Sequence, residues 1–186
     1  MKKFLVIGDF HIPRRAQDLA PALYDVVESQ TPEGVLCTGD LISDMVLTIL
    51  DGLAGEVHVV AGNMDHLDLP AREVVEAHGW RIGLVHGAGI IPRGDPEQLL
   101  EVALDMDVDL LAHGHTHEDS AYGRAFEGRN IIFVNPGSAT GIGGGRGGTL
   151  KPSLAILSLS PDEVEVVRYR LTGAGIERVR DVFPKE

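Results

Sequence analysis

Five short apolar runs each end in a glycine set beside an Asp, Asn or His, and no other feature restricts the fold as much. The runs lead into Gly8-Asp9, Gly39-Asp40, Gly62-Asn63, His86-Gly87 and Gly114-His115. Each is about as long as one strand, and its Val, Ile and Leu content suits a strand covered on both faces. A glycine at the exit lets the chain turn sharply and leaves no side chain to hinder a ligand. In open α/β sheets, ligands bind beyond the carboxyl ends of the strands. Strand ends that offer Asp, Asp, Asn, His and His therefore predict one shared pocket with the donors of a metal site.

The strand signals at 3–8, 34–38, 57–61, 81–86 and 109–113 alternate with helix signals. Pro21 opens PALYDVVESQ, and Ser43 or Asp44 caps MVLTILDGL. Pro70 opens PAREVVEAHG with Gly79 as its stop, and Asp95-Pro96 starts PEQLLEVALDM. This alternation predicts an α/β fold with right-handed crossovers and a largely parallel sheet. After Gly114 the pattern changes. AYGRAF and NIIFVN flank Glu127-Gly128-Arg129, while SLAILSLS and EVEVVRYRL flank Pro161-Asp162. Both read as hairpins, and they predict a second, antiparallel sheet packed on the first. No linker-like composition divides the parts, so residues 1–186 are expected to form a single domain. The segment GIGGGRGG (141–148) is the one low-complexity stretch and reads as a mobile loop.

Bulk properties exclude several functions. The net charge is −12 with no basic stripe, which argues against long nucleic acids as partners. Cys37 is the only cysteine, so an intramolecular disulfide is excluded and a plain buried thiol is expected. The N-terminal MKKFLVIGDF reaches Asp9 too soon to hold a signal peptide's apolar core, and no run approaches membrane-span length. These features predict a cytoplasmic protein without membrane partners.

The chemistry lies in the combination of donors. Asp9 and His11 are two residues apart, so in extended chain they point to the same side, and so do His115 and His117 within HGHTH. Asp40, Asn63 and His86 complete a set of mixed oxygen and nitrogen ligands with no thiolate. Such a set suits Mn, Fe, Zn, Co or Ni better than Ca or Mg. Seven donors exceed the needs of one four-coordinate metal and match two metals that share a carboxylate. His58, His78 and His113 have bland readings: the first two as surface or half-buried histidines, and His113 as a core or supporting one. Asn135 is expected to anchor a turn through its amide.

In this order and spacing the chain resembles the calcineurin-like metallophosphoesterases. Their signature GD-x-H, GD, GN, a lone His and GH-x-H is matched by Gly8-Asp9-Phe10-His11, Gly39-Asp40, Gly62-Asn63, His86 and Gly114-His115-Thr116-His117. Chain length and NPGS (135–138) resemble the family's small single-domain phosphodiesterase branch, which also includes a retromer scaffold subunit. The resemblance implies a four-layer sandwich of two β-sheets flanked by helices. It also implies a first metal on Asp9, His11 and His117, a second on Asn63, His86 and His115, and Asp40 between them. Two divalent ions per chain are implied, manganese first among them, along with a homodimer or tetramer.

A phosphodiesterase acting through a metal-bridging hydroxide follows as the expected activity, with Asn63, Asp40 and His86 as its working residues. Many relatives place a histidine after Gly-Asn to assist the leaving group; here that position is Met64, which cannot donate a proton. His66, two residues on, is the substitute candidate, while Asp65 orients a ligand histidine or caps a turn. Two divalent ions, two carboxylates and a hydroxide leave the site with a charge of about +1. A diester monoanion neutralises that charge and a monoester dianion overshoots it, so a small phosphodiester is the expected substrate. Arg146 reads either as a phosphate clamp or as a solvated loop residue. The competing readings are a catalytically silent scaffold that binds protein partners, a phosphomonoesterase, a nuclease acting on a dinucleotide or cyclic nucleotide, and a structural zinc site on HGHTH.

Overall fold

Apolar side chains alternate along the strands, and that alternation builds the layers. The computed structural model describes residues 2–143 and 150–185; Arg146 and most of the glycine-rich segment lie outside them. The elements in chain order are β1 (Lys2–Ile7), α1 (Pro21–Gln30), β2 (Gly34–Cys37), α2 (Met45–Leu53), β3 (Glu56–Val59), β4 (Arg72–Ala77) and β5 (Trp80–Val85). There follow α3 (Pro96–Asp105), β6 (Leu110–His113), β7 (Ser120–Phe126), β8 (Arg129–Asn135), β9 (Ser153–Leu159), β10 (Glu163–Thr172) and β11 (Gly175–Pro184).

The strands form two sheets, ordered β11-β10-β9-β1-β2-β3 and β4-β5-β6-β8-β7. Phe4, Val6 and Leu36 of the first pack with Ile82, Leu84, Leu110 and Val134 of the second in a core between the sheets. The alternate residues Leu5, Ile7, Val35 and Cys37 pack with Leu23 and Val27 of α1 and with Val46 and Leu50 of α2. On the second sheet's outer side, Val85, Leu111, Ile131 and Phe133 cluster with Leu99, Leu100 and Ala103 of α3. Each fully buried Leu or Ile contributes roughly 1.5–3 kcal/mol, so every central strand is held from both faces. The result is the expected four-layer sandwich.

Both sheets are mixed, which corrects the expectation of a largely parallel one. β1, β2 and β3 run parallel, as do β5, β6 and β8, but β9, β10, β11, β4 and β7 pair antiparallel. The two C-terminal hairpins do not form a sheet of their own. β7 and β8 extend the second sheet, while β9 and β10 extend the first and are followed by β11. The helix expected over 70–79 is strand β4. Ala77 pairs with Trp80 across His78 and Gly79 (φ 50 and 79), so Gly79 completes a two-residue hairpin turn and does not stop a helix. Cys37 is a free buried thiol, its pKa pushed up to about 12 by burial. Among the described residues, no helix is long and apolar enough to cross a membrane.

Candidate metal centre

The exits of β1, β2, β3, β5 and β6 carry the candidate ligands to one end of the sandwich, across both sheets. Asp9, His11, Asp40, His86, His115 and His117 are all buried, and Asn63 lies at the surface above them. Backbone strain is concentrated here. Asp9, His11, Asp40, His115 and His117 have φ of 51, 53, 56, 69 and 60, in the left-handed region that costs a residue with a Cβ roughly 1–3 kcal/mol. Such angles persist only where the surroundings enforce them. Asp65 does much of that work. Its carboxylate accepts from the backbone N–H of Asp40 (2.9 Å), Ile42 (2.7 Å) and Gly62 (2.8 Å) and ties the β2 and β3 exits together. Ser138 Oγ donates to Asp9 O at 2.8 Å, and Thr140 Oγ1 donates to Phe10 O at 2.9 Å.

The glycines accommodate protein atoms more than ligand. A Cβ on Gly62 would lie 2.1 Å from Asp40 Oδ1, and one on Gly8 would lie 2.0 Å from Thr38 Oγ1. The missing side chains are therefore where the ligand-bearing loops pass each other.

The donor atoms form two overlapping groups. Asp9, His11 and His117 make one, and Asp9, Asp40 and His86 the other, each with ligand atoms within 4.8 Å of one another. Asp40 Oδ2 lies between the halves, 3.6 Å from His11 Nε2 and 3.5 Å from His86 Nε2. Asn63 Oδ1 and His115 Nδ1 approach His86 Nε2 at 3.1 and 3.2 Å. Asp9 Oδ2 accepts from His115 N–H at 3.0 Å, and Asp40 Oδ1 accepts from Met64 N–H at 2.8 Å.

The chemistry of these atoms fits a cation. His86 Nδ1 faces the carbonyl of Thr38 at 2.8 Å, which accepts only, so the ring proton sits on Nδ1 and Nε2 carries a bare lone pair. That lone pair points at Asn63 Oδ1 and Asp40 Oδ2, both acceptors. His117 Nδ1 likewise donates to Ile142 O, leaving its Nε2 bare against Asp9 Oδ1 and His11 Nε2, both at 3.2 Å. Asp9 Oδ1 is buried with no hydrogen-bond partner among the described residues. Lone pairs that converge without protons repel, and a shared positive charge removes the conflict.

The titration directions agree. Burial alone would raise the Asp9 carboxyl, but its contact with His117 and the neighbouring imidazoles hold it below the usual range. Burial alone would lower His117, but its contact with Asp9 and the carbonyl of Ile142 hold it above its ordinary value, so positive charge is favoured at this point. Burial, together with the neighbouring His86, pushes His115 down to about 4, and burial lowers His11.

The remaining sequence candidates fall outside the cluster. His113 is buried beside it, with Nδ1 facing Asn135 Nδ2 at 3.1 Å, and burial pushes it down to about 4. Asn135 Nδ2 also reaches Gly114 O (3.2 Å) and Thr116 Oγ1 (3.0 Å), so it braces the HGHTH turn. His58 pairs with Glu73 at 2.7 Å. His66 is exposed and is not among the residues that line the cleft over the donors. That cleft is lined by His11, Asp40, Asn63, Met64, His115 and His117, together with two arginines the sequence did not single out, Arg15 and Arg93.

His113 gives the metal-free protein an acid weakness. Its folded pKa of about 4 lies below the ordinary 6.5, so between those values the unfolded chain binds a proton the folded chain refuses. The contribution is complete above pH 6.5 and is lost as pH falls toward 4, by up to about 3 kcal/mol. His113→Asn, whose Oδ1 can accept from Asn135 as Nδ1 does, is expected to lose less. Urea unfolding of chelator-treated protein at about pH 7 and 4.5 measures this. Equal losses in the two proteins would remove His113 from the account.

Comparison with known proteins identifies the class. The profile of the calcineurin-like phosphoesterase superfamily domain matches residues 2–161, and the chain belongs to that family. A probable metallophosphoesterase of Methanothermobacter thermautotrophicus is 39% identical over 138 residues, covering 73% of this chain and 76% of the relative. The structure of Vacuolar Protein Sorting 29 from Cryptosporidium parvum superposes with a TM-score of 0.90 at 28% identity, over 99% of this chain and 98% of that one. Wild-type Vps29 of Entamoeba histolytica complexed with Zn²⁺ gives a TM-score of 0.86 at 35% identity, over 97% and 98%. The fold is that of the metallophosphoesterases, in their small single-domain branch.

Proposed function

We propose that this protein is a dinuclear-metal-dependent phosphodiesterase acting on small diesters. The observation that carries this is the convergence of His117 Nε2 and His86 Nε2 on Asp9, Asp40 and Asn63 acceptors, with Asp40 Oδ2 between the two halves. Asp9, His11 and His117 would hold one cation and Asn63, His86 and His115 the other, with Asp40 shared. Two divalent cations held there would supply a hydroxide nucleophile at neutral pH and neutralise charge on the phosphoryl oxygens. Manganese, iron, zinc, cobalt and nickel all suit this donor set, and the Entamoeba relative was crystallised with Zn²⁺.

The chain's own residues do the rest. Thr38 O and Ile142 O fix the tautomers of His86 and His117 and keep their Nε2 atoms free to bind. Asp65 holds the Asp40 and Gly62 backbones in register, and Asn63 can turn its amide toward a phosphoryl oxygen. Met64 lines the cleft where a proton donor would assist the leaving group, which favours esters whose alcohol leaves without one. A catalytically silent scaffold is the second reading; the complete set of seven donors weighs against it.

Metal analysis of the purified protein should give close to two divalent ions per chain. With Mn²⁺, an aryl phosphodiester should turn over faster than the matching monoester, because the site's charge of about +1 is matched by a monoanion. Faster monoester turnover would overturn the diester assignment, and metal-free protein without turnover on either ester would favour the scaffold.

A further inference from the structure

Two arginines line the cleft over the candidate centre with no carboxylate partner among the described residues. Seven of the described arginines in this acidic chain, among them Arg72, Arg124 and Arg168, lie within 4.0 Å of a carboxylate, and Arg178 lies over the Tyr169 ring. Arg15 and Arg93 have no carboxylate at that distance among the described residues, yet both line the cleft. Exposed Arg14 has no such carboxylate either, but it is not among the residues that line the cleft, so what sets Arg15 and Arg93 apart is their place over the donors.

Both are carried on ordered turns. Arg15 N–H donates to His11 O at 2.8 Å, so ligand and arginine share one tight turn. Arg93 sits where Asp95 N–H donates to Pro92 O (3.1 Å), and Gln98 grips Ile91 through both its N–H (3.3 Å) and its carbonyl (2.6 Å). They come from the exits of different sheets: Arg15 follows β1, and Arg93 lies between β5 and α3.

We propose that Arg15 and Arg93 form an anion-recognition subsite at the mouth of the cleft, selecting small phosphodiesters that carry a second, terminal phosphoryl group. A 5′-phosphorylated dinucleotide is the type of molecule meant. This rests on the phosphodiesterase reading above and names its substrate class. Two guanidinium groups raise the site's charge from about +1 to about +3. A diester with a terminal phosphate brings about −3 near neutral pH. The fork of an arginine also matches two phosphate oxygens at once, which fixes the diester's orientation over the metal ligands.

The test compares kcat/KM for a 5′-phosphorylated dinucleotide and its unphosphorylated counterpart with Mn²⁺. The wild type should prefer the phosphorylated substrate, and Arg15→Ala and Arg93→Ala should each cut that preference about tenfold, the scale of one charged hydrogen bond. Arg→Lys at either position should restore part of it. Titration of chelator-treated protein with the phosphorylated dinucleotide, followed by NMR, gives a readout independent of turnover. Its Kd should rise about tenfold or more when both arginines are replaced by alanine. A wild type without preference for the phosphorylated substrate, or a preference unchanged in both variants, overturns the proposal. If an aryl diester is hydrolysed but neither dinucleotide is, the substrate class proposed here falls while the phosphodiesterase reading stands. If the aryl diester is not hydrolysed either, that reading has failed, and the metal-free titration alone decides the arginines, with equal Kd values in wild type and double variant ending their assignment.

Discussion

Asp40→Ala should lower diester turnover on the order of 10³-fold and bring bound metal from close to two ions per chain to one or fewer. Asp40 is the only candidate ligand whose single oxygen, Oδ2, faces a histidine from each half, His11 at 3.6 Å and His86 at 3.5 Å. Removing it takes away the one negative charge both cations would share, and leaves their mutual repulsion unscreened in a buried site. Bringing two cations together is worth several kcal/mol of charge stabilisation to the reaction, and at about 1.4 kcal/mol per decade three orders of magnitude follow. The cost to folding should be far smaller. Met64 N–H loses its acceptor Oδ1, a bond of about 1 kcal/mol. Asp40→Asn serves as the companion variant, since it keeps an acceptor oxygen and loses the charge. Elemental analysis, turnover of an aryl diester and chemical unfolding separate these effects. Two ions per chain and undiminished turnover in Asp40→Ala would mean that the carboxylate is not shared.

Most of the donors were legible in the sequence because they follow strands that are apolar on both faces, β1, β2, β5 and β6; β3, which precedes Asn63, is a half-exposed edge strand. A strand apolar on both faces has no freedom in register, so the residues after it emerge at a fixed end of the sheet. The strands themselves were less legible where one face meets water. REVVEA of β4 buries only Val75 and Ala77, and its acidic and aliphatic mixture after Pro70 imitates a helix start. What distinguishes it is the His78-Gly79 turn, whose two positive φ angles suit a hairpin. β11 was missed for a similar reason: GIERVRDVFP is an edge strand with no fully buried residue, recognisable only through its ten paired positions with β10. Arg15 and Arg93 escaped because nothing local marks them. Their place over the donors is set by turns following β1 and preceding α3, and only the assembled fold brings those turns together. Asp65 shows the same limit. Beside Asn63 it reads as a ligand orienter or a turn cap, whereas it accepts three backbone N–H groups from two loops.

The glycines lead to the second large effect. Gly62→Ala should unfold at a temperature about 6–12 °C lower than the wild type and lose diester turnover by more than about 10²-fold. Its new Cβ would lie 2.1 Å from Asp40 Oδ1, 2.3 Å from Asp40 N and 2.8 Å from Asp40 Cα. Two of those three atoms are backbone, so no side-chain rotation relieves the overlap, and the exits of β2 and β3 must separate. Overpacking of this kind costs typically about 1–3 kcal/mol. The separation also strains the bonds from Asp65 to Asp40 N (2.9 Å) and Gly62 N (2.8 Å), which adds to that figure. About 3 kcal/mol in a chain of this size corresponds to the stated fall in melting temperature. Turnover suffers separately because Asp40 and Asn63 move relative to His86, and a displacement near 1 Å at reacting groups costs about 10²-fold. Gly52→Ala is the control. It lies within α2 with nothing within 4 Å of a modest added Cβ, so alanine there should stabilise by about 0.5–1 kcal/mol and leave turnover as it was. Thermal unfolding and diester assays on both variants check the pair. A Gly62→Ala protein with wild-type melting temperature and turnover would show that the two loops have slack, and that the close crossing of Gly62 and Asp40 does not set the geometry of the centre.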